Sequence, residues 1–138
     1  MTTLSTDKPR DFQLGEIESY PVVANDIIYE GAAVGENGSG YARPLVGGDK
    51  FLGFAIEKID NTGGDAGDKR IRVRTRGRAK LKVSSAAITD NDLAAVYAND
   101  DDTFEKGASG ASLIGYVSQY ESAGVAVVDF DAVYSKLG

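Results

Sequence analysis

The side chains that most often perform acid–base and nucleophilic chemistry are either missing from this sequence or stand without their usual helpers. The chain has no histidine and no cysteine, which removes the usual general base, the usual zinc ligand and every thiolate. Ser84, Ser85, Ser109 and Ser112 therefore have no imidazole to activate them. A lysine base or a pair of aspartates stays open, but no spacing favours either. We predict that the protein is not an enzyme and uses no cofactor.

Two further patterns resemble ligand sites but lack their spacing. The acidic run from Asp100 to Glu105 has neither the alternating oxygen ligands nor the central glycine of an EF-hand calcium loop. Gly35, Gly38 and Gly40 do not follow the order of a dinucleotide-binding loop, and the loop from Gly63 to Lys69 lacks the hydroxyl residue that completes a P-loop. We therefore predict a solvated turn at the acidic run, and neither a metal site nor a phosphate site.

The strongest charge pattern is a run of bases in which every second residue is Arg or Lys. These seven bases, which we call the basic strip, are Arg70, Arg72, Arg74, Arg76, Arg78, Lys80 and Lys82. Apolar or small residues fill the positions between them, and this period of two predicts one half-buried β-strand over residues 70–83. With Lys69, the run holds 8 of the 15 basic residues, so the rest of the chain has 7 bases against 21 acids. The protein is an acidic body with one basic surface.

Two interpretations of the basic strip are open from the sequence. In the first, it is a solvated strand face whose bases pair across the sheet with Glu57, Asp129 or Asp131. In the second, it contacts a polyanion, either the phosphates of a nucleic acid or an acidic protein surface. Nucleic acid is the less favoured partner, because residues 69–83 contain no aromatic side chain on which unpaired bases would stack.

The elements that position these side chains are predicted to be short strands separated by glycine-rich turns. Apolar runs rich in β-branched or aromatic residues occur at 22–23, 27–29, 32–34, 51–56, 113–117 and 125–130. With seventeen glycines, they predict an all-β fold, either a small or tulip-like β-barrel or a sandwich. One or two short helical turns are expected between Ser84 and Tyr97, and another near the C-terminus. Residues 61–68 are expected to form a mobile loop without core contacts.

The N-terminal segment differs in composition from the rest of the chain. Residues 1–14 are polar and lack periodicity, which predicts a flexible arm before a single β domain of residues 15–138. The sequence has no signal-peptide pattern and no apolar run of membrane-spanning length, so we expect synthesis in the cytoplasm and no membrane partner. Once docked, such an arm can pair with a sheet edge of a partner. The residues predicted to bind a partner are Thr2, Thr3, Leu4, Ser5, Thr6, Asp7, Lys8, Pro9, Arg10, Arg70, Arg72, Arg74, Arg76 and Arg78.

The order of several segments between residues 15 and 131 carries a resemblance to a known family. In chain order these segments are Gly31–Val34, Phe51–Ala55, Arg76–Ala79, Val96–Phe104, Ile114–Val117 and Gly124–Phe130. Their order resembles that of the capsid decoration, or cement, proteins of tailed bacteriophages. The most specific part of the resemblance is the segment from Val96 to Phe104 followed by Ile114–Val117.

The resemblance implies a small β-barrel or β-tulip unit, usually a homotrimer, that binds the exterior of the expanded capsid. There it would tie neighbouring subunits of the major capsid protein together against the pressure of packaged DNA, without a cofactor. The expected location is the virion exterior, after assembly in the host cytoplasm. Two alternatives stay open: another phage structural protein, such as a tail, spike or head-completion component, and a nucleic-acid-binding β module that uses residues 69–82.

The aromatic residues and the strand edges favour self-association. A small β protein has several strand edges to cover, and a symmetric trimer covers them without a second kind of chain. Six aromatic residues give more aromatic surface than one small core is expected to need, and we expect part of it to lie between subunits. These residues are Phe51, Phe54, Tyr97, Phe104, Tyr116 and Tyr120.

Overall fold

The computed structural model describes residue 6, residues 16–107 and residues 110–135 of the 138-residue chain. Apart from Thr6, the predicted arm lies outside the described residues, so its flexibility and the partner-binding role of residues 2–10 stay predictions. In the described part of the chain, no helix has the length and the hydropathy that crossing a lipid bilayer requires.

The described residues form an all-β fold, as the sequence predicts. The strands are β1 (Ile17–Pro21), β2 (Ile27–Ile28), β3 (Ala33–Glu36), β4 (Ala42–Pro44), β5 (Lys50–Ala55), β6 (Ile59–Asp60), β7 (Arg70–Arg74), β8 (Arg76–Ser84), β9 (Ala95–Ala98), β10 (Phe104–Glu105), β11 (Ser112–Ser122) and β12 (Val125–Asp131). A 3₁₀ turn at Ile88–Asp92 is the short helical turn expected between Ser84 and Tyr97. A second short helix, α1 (Ala132–Ser135), follows β12.

The strands divide into two lobes that follow one another in the sequence. The first lobe, residues 16–74, contains a five-stranded sheet in the order β1-β7-β5-β3-β4 and a two-stranded sheet of β2 and β6. The second lobe, residues 76–135, is a closed barrel in the order β10-β8-β12-β11-β9. The chain passes between the lobes at Thr75. Its N–H donates to the Glu16 carbonyl in the first lobe, and its carbonyl accepts from the Ala132 N–H in the second, both at 2.8 Å.

The alternation over residues 70–83 is confirmed, but the prediction of one continuous strand is wrong. The alternate positions point inward throughout, yet β7 pairs within the first lobe and β8 within the second. The chain changes sheet at Thr75, and Gly77 follows with φ +147°, a conformation that glycine adopts without strain. A period of two reports which face of a strand is buried, and it carries no information on which strand is the neighbour.

Strand β5 carries a bulge that changes which side chains share a face. Val34 of β3 lies opposite Gly53, and the next residue, Gly35, lies opposite Phe51, so Leu52 has no opposite residue on β3. Gly53 has φ +133°, and a Cβ atom there would overlap the carbonyl of the first lobe's last residue. The bulge therefore requires glycine at this position.

Because of the bulge, β5 contributes to both hydrophobic cores. Leu52 and Ala55 pack in the core of the first lobe, whereas the two phenylalanines of β5 pack in the core of the barrel. There they join a cluster with ring centroids 4.8 to 6.3 Å apart, which consists of Phe51, Phe54, Phe104 and Phe130. The three phenylalanines that were expected to contribute surplus surface for self-association are thus core residues, because two lobes need more aromatic volume than one small core.

The glycine-rich loop over residues 61–68 does make a core contact, contrary to expectation. The Asn61 side chain is buried, and its Nδ2 donates to the carbonyl of Val23 at 3.0 Å and to that of Asp65 at 3.1 Å. A single buried amide can satisfy the backbone of a loop that has few side chains of its own. The composition of the loop indicated that it is polar, but it did not indicate the hydrogen bond from Asn61 to Val23, which follows β1 in the chain.

Candidate interaction surface

The structure places the basic strip on the outer surface of both lobes. All seven of its bases are exposed. The first three belong to β7 and the remaining four to β8, and we call these parts the β7 half and the β8 half of the strip. At a rise of about 3.3 Å per residue, the strip is up to about 40 Å long. The five arginines predicted to bind a partner therefore lie on one continuous chain segment that crosses both lobes.

Carboxylates face the β8 half of the strip. The register places Arg76 opposite Asp131 and Arg78 opposite Asp129 of β12. Arg78 Nε lies 3.8 Å from Asp129 Oδ2, and Lys80 Nζ lies 2.7 Å from Glu121 Oε2 on β11. The interpretation of a solvated strand face with cross-strand ion pairs describes this half of the strip well.

The strand beside the β7 half is neutral at the facing positions. The register places Arg70 opposite Pro21, Arg72 opposite Ser19 and Arg74 opposite Ile17. Arg70 Nε donates to Ser19 Oγ at 2.9 Å, and a terminal nitrogen of Arg70 donates to the Ser19 carbonyl at 2.7 Å. These bonds orient the guanidinium without neutralising it.

Among the described residues, Glu57 is the one carboxylate within 4 Å of a base in the β7 half, and Glu16 lies farther off in a pocket that Arg74 also lines. Glu57 Oε2 accepts from the backbone N–H of Arg72 at 3.0 Å and from Arg72 Nε at 3.1 Å, and these bonds hold the pKa of Glu57 below its usual value. Arg74 has no carboxylate oxygen of a described residue within 4 Å of its side-chain nitrogens. The predicted pair with Glu57 is present, and the β7 half nevertheless keeps an excess of positive charge.

A groove that the sequence did not reveal lies beside the β8 half. It has a volume of about 810 Å³, and its lining includes Arg78 and Asp129 as well as two large apolar side chains, Leu93 and Tyr116. Leu93 is 62% exposed and Tyr116 is 50% exposed. Exposed apolar side chains that line one groove next to charged groups are typical of protein-binding surfaces.

Two backbone irregularities place these apolar side chains in solvent. Leu93 ends the 3₁₀ turn with φ +69°, a left-handed conformation that costs a leucine about 1–3 kcal/mol. Tyr116 follows Gly115, where the register of β11 against β9 shifts and where a Cβ atom would overlap the Asp129 carbonyl. The sequence predicted surplus aromatic surface at Tyr116, but it contained no signal for Leu93 or for the groove, because an apolar residue in a β-rich chain is by default a core residue.

The 3₁₀ turn before Leu93 is held by the buried carboxylate of Asp90. Its Oδ2 accepts from the Ala87 N–H at 2.7 Å, and its Oδ1 accepts from Lys106 Nζ at 3.0 Å. The backbone bond from Ala87, followed by the bond from Lys106, holds the pKa of Asp90 below its usual value. Asp90, the third residue of the turn, therefore fixes one wall of the groove.

The first four residues of the acidic run, 100–103, form the predicted turn, whereas Phe104 and Glu105 belong to strand β10. The Asp100 carboxylate accepts from the Asp102 N–H at 2.9 Å and from Thr103 Oγ1 at 3.1 Å, and the backbone bond from Asp102 holds the pKa of Asp100 below its usual value. Partial burial raises the pKa of Asp101, and the charges of Asp100 and Asp102 raise it further. Among the described residues, no group of acids could hold a metal ion.

Comparisons with other proteins add no family: no protein-family model matches the chain, and no curated protein matches it either. The function is therefore inferred from the surface that the basic strip and the groove form together.

Proposed function

We propose that this protein is a decoration, or cement, protein of a tailed-bacteriophage capsid. In this role it binds the exterior of the expanded shell and braces the contacts between subunits of the major capsid protein. The observation that carries the proposal is the continuity of the apolar groove with the basic strip, since Arg78 belongs to both. An apolar centre with a charged border suits a protein partner.

The charge pattern supports a protein partner over a nucleic acid. Asp129 and Glu121 interrupt the β8 half of the strip, and they would repel phosphates that approached the neighbouring bases. Strands β7 and β8 also carry no aromatic side chain for base stacking. A protein surface can place a base opposite each acid and an acid opposite each base, which a regular phosphate backbone cannot do.

The proposal includes assembly as a homotrimer on the virion exterior, after synthesis in the host cytoplasm. Three large apolar side chains outside the groove, Val46, Ile88 and Val133, are also exposed. A symmetric contact between copies would cover such side chains and would leave the groove for the shell.

The test is to mix the purified protein with undecorated, expanded shells of the phage that encodes it. We expect saturable binding with a fixed number of copies per shell, and shells that withstand heating better than bare ones. Replacing Leu93 and Tyr116 together by serine should weaken binding at least about tenfold, which corresponds to about 1.4 kcal/mol. Because both side chains are exposed, the melting temperature should change little.

Tyr29 provides the matched control, since it is an exposed tyrosine of the first lobe outside the groove. Tyr29→Ser should bind shells as the parent protein does. Absence of shell binding by the parent protein would overturn the proposal. Salt-sensitive binding to DNA in its place would favour the nucleic-acid alternative.

A further inference from the structure

We propose that the β7 half of the basic strip, with Ile17 beside it, docks an acidic protein surface, and that the β8 half does not. This inference rests on the proposed function, because it names the chemistry that the protein partner presents. It divides a strip that looks uniform in sequence into two halves with different tasks.

The two halves of the basic strip differ in charge compensation. Two bases of the β8 half, Arg78 and Lys80, already have carboxylates of the same molecule within 4 Å. In the β7 half only Arg72 has one, whereas Arg70 bonds to neutral oxygen atoms and Arg74 has none among the described residues. The positive potential available to a partner therefore concentrates over β7.

Two arginine side chains of the β7 half are preorganised for docking. The Arg70 guanidinium is held by two bonds to Ser19, and the Arg72 guanidinium by bonds to Glu57. A guanidinium has five N–H donors in a rigid plane, so donors remain for a second acceptor after these bonds are made. Docking then costs less side-chain entropy than it would for freely rotating arginines.

The strand beside β7 is neutral and partly apolar at its outward positions. Ile17 is 42% exposed, and it lies directly opposite Arg74 in the register. An apolar side chain next to arginines is a common combination in protein interfaces. A single-stranded nucleic acid would need an aromatic surface, and the outward positions of β1 hold only Ile17, Ser19 and Pro21.

The geometry also specifies the spacing of the acids on the partner. Alternate residues of a strand lie about 7 Å apart, so Arg70, Arg72 and Arg74 form a row with that repeat. Carboxylates at alternate positions of an extended segment have the same repeat and can accept paired bonds from guanidinium groups. The partner we infer is an acidic protein surface with carboxylates about 7 Å apart.

The test compares two double variants that remove the same charge. Arg70→Gln with Arg74→Gln alters the β7 half, and Lys80→Gln with Lys82→Gln, at two bases outside the groove, is the matched control in the β8 half. Glutamine is uncharged and shorter but stays polar and can hydrogen-bond, and all four positions are exposed, so both variants should fold. Binding to undecorated shells and to poly-L-glutamate is measured at about 50 mM and about 300 mM salt.

We expect the β7 variant to lose about tenfold in affinity for both probes at low salt, with a smaller difference at high salt, because salt screens exposed charges. The control should stay within about threefold of the parent protein. If the β7 variant loses self-association in sedimentation, the acidic partner is a second copy of this chain, and the docking face is still supported.

Other outcomes separate this inference from the proposed function. If the parent and both variants bind shells equally well, the docking face is overturned and the proposed function stands. If the parent does not bind shells, the proposed function fails, and equal affinity of the two variants for poly-L-glutamate would also overturn the docking face. Tighter binding of the parent to DNA than to poly-L-glutamate would overturn it in favour of a nucleic acid.

Discussion

Asp101 is a residue whose negative charge the fold disfavours. Its carboxyl is partly buried, and burial raises its pKa above the usual value, with further contributions from the charges of Asp100 and Asp102. A carboxyl whose pKa is higher in the folded than in the unfolded protein lowers stability when it ionises. This penalty is absent below the unfolded pKa of about 3.9, grows as the pH rises, and is complete above the folded pKa.

Asp101→Asn should therefore stabilise the protein at neutral pH. We expect the melting temperature to rise by about 1–3 °C at about pH 7, and the difference to vanish near pH 3.5, where the parent's carboxyl is also protonated. Scanning calorimetry over a pH series would measure both effects. Asp92→Asn, which removes an exposed charge of the 3₁₀ turn, is the control. A variant less stable than the parent at neutral pH would show that the Asp101 carboxylate has a favourable partner.

The sequence located this acidic turn correctly but could not show that one of its three aspartates is drawn inward. The Asp101 carbonyl accepts a bond from the Ala33 N–H at 2.9 Å, and this bond joins the two lobes. Residues that far apart in the chain meet only in the folded molecule. The solvation of a turn can be predicted from its composition, whereas the burial of an individual member depends on such distant contacts.

Strand β5 depends strongly on a single residue. Gly53 adopts φ +133° at the bulge, and a side chain there would meet the Arg74 carbonyl. Gly53→Ala should lower the free energy of unfolding by about 3 kcal/mol or more, because it adds a steric overlap to an unfavourable backbone conformation. Urea denaturation would measure the loss.

Gly38 is the matched control for this substitution. It also has positive φ, at +91°, but nothing lies within 4 Å of the position that a Cβ atom would take. Gly38→Ala should therefore cost only about 1 kcal/mol, from the backbone conformation alone. Equal losses in the two variants would mean that the overlap with Arg74, and hence the bulge, does not determine the stability of β5.

Local pattern predicted the existence of the strands better than their pairing. The apolar run 51–56 became β5 (Lys50–Ala55), and the run 125–130 became β12 (Val125–Asp131). The break at Thr75 escaped prediction, because alternation continues on both sides of it while the neighbouring strands change. The bulge at Gly53 was not predicted either, because a glycine in a strand is also compatible with a regular ladder of hydrogen bonds.

At the scale of the whole molecule, the four phenylalanines couple the lobes. Phe51 and Phe54 come from the first lobe, and they pack against Phe104 and Phe130 of the second. Large aromatic side chains contribute much of the burial energy of a core, so neither lobe completes its packing alone. The two lobes should therefore unfold together although their strands are separate.

Calorimetry would test this coupling. We expect one thermal transition whose calorimetric and van't Hoff enthalpies agree, as in a two-state protein. Phe54→Ala should cost about 3–5 kcal/mol and lower the melting of both lobes to the same extent. Amide signals of Val73 and Val128 can report on the two lobes separately. Two transitions, or loss of one set of signals before the other, would show that the lobes are independent.

The candidate surface was only half visible from the sequence. The basic strip is contiguous in the chain, and its exposure follows from alternation alone, so all seven bases could be placed on one side of the strands. The groove joins Leu93 to Tyr116, which belong to different elements and meet through the pairing of β9 with β11. The uneven neutralisation of the strip's positive charges also depends on the neighbouring strands. β7 lies beside β1 and β8 lies beside β12, and the sequence did not show this pairing.

The passage of the chain between lobes at Thr75 has a consequence for the protein's synthesis. Every strand of the first lobe pairs within residues 16–74, so these sheets can form as soon as that segment has left the ribosome. Phe51 and Phe54 must then wait for Phe130, which is translated about 4–15 s later at common elongation rates. During this interval the nascent chain presents two unburied aromatic rings, and this is when it is most open to chaperones or to aggregation.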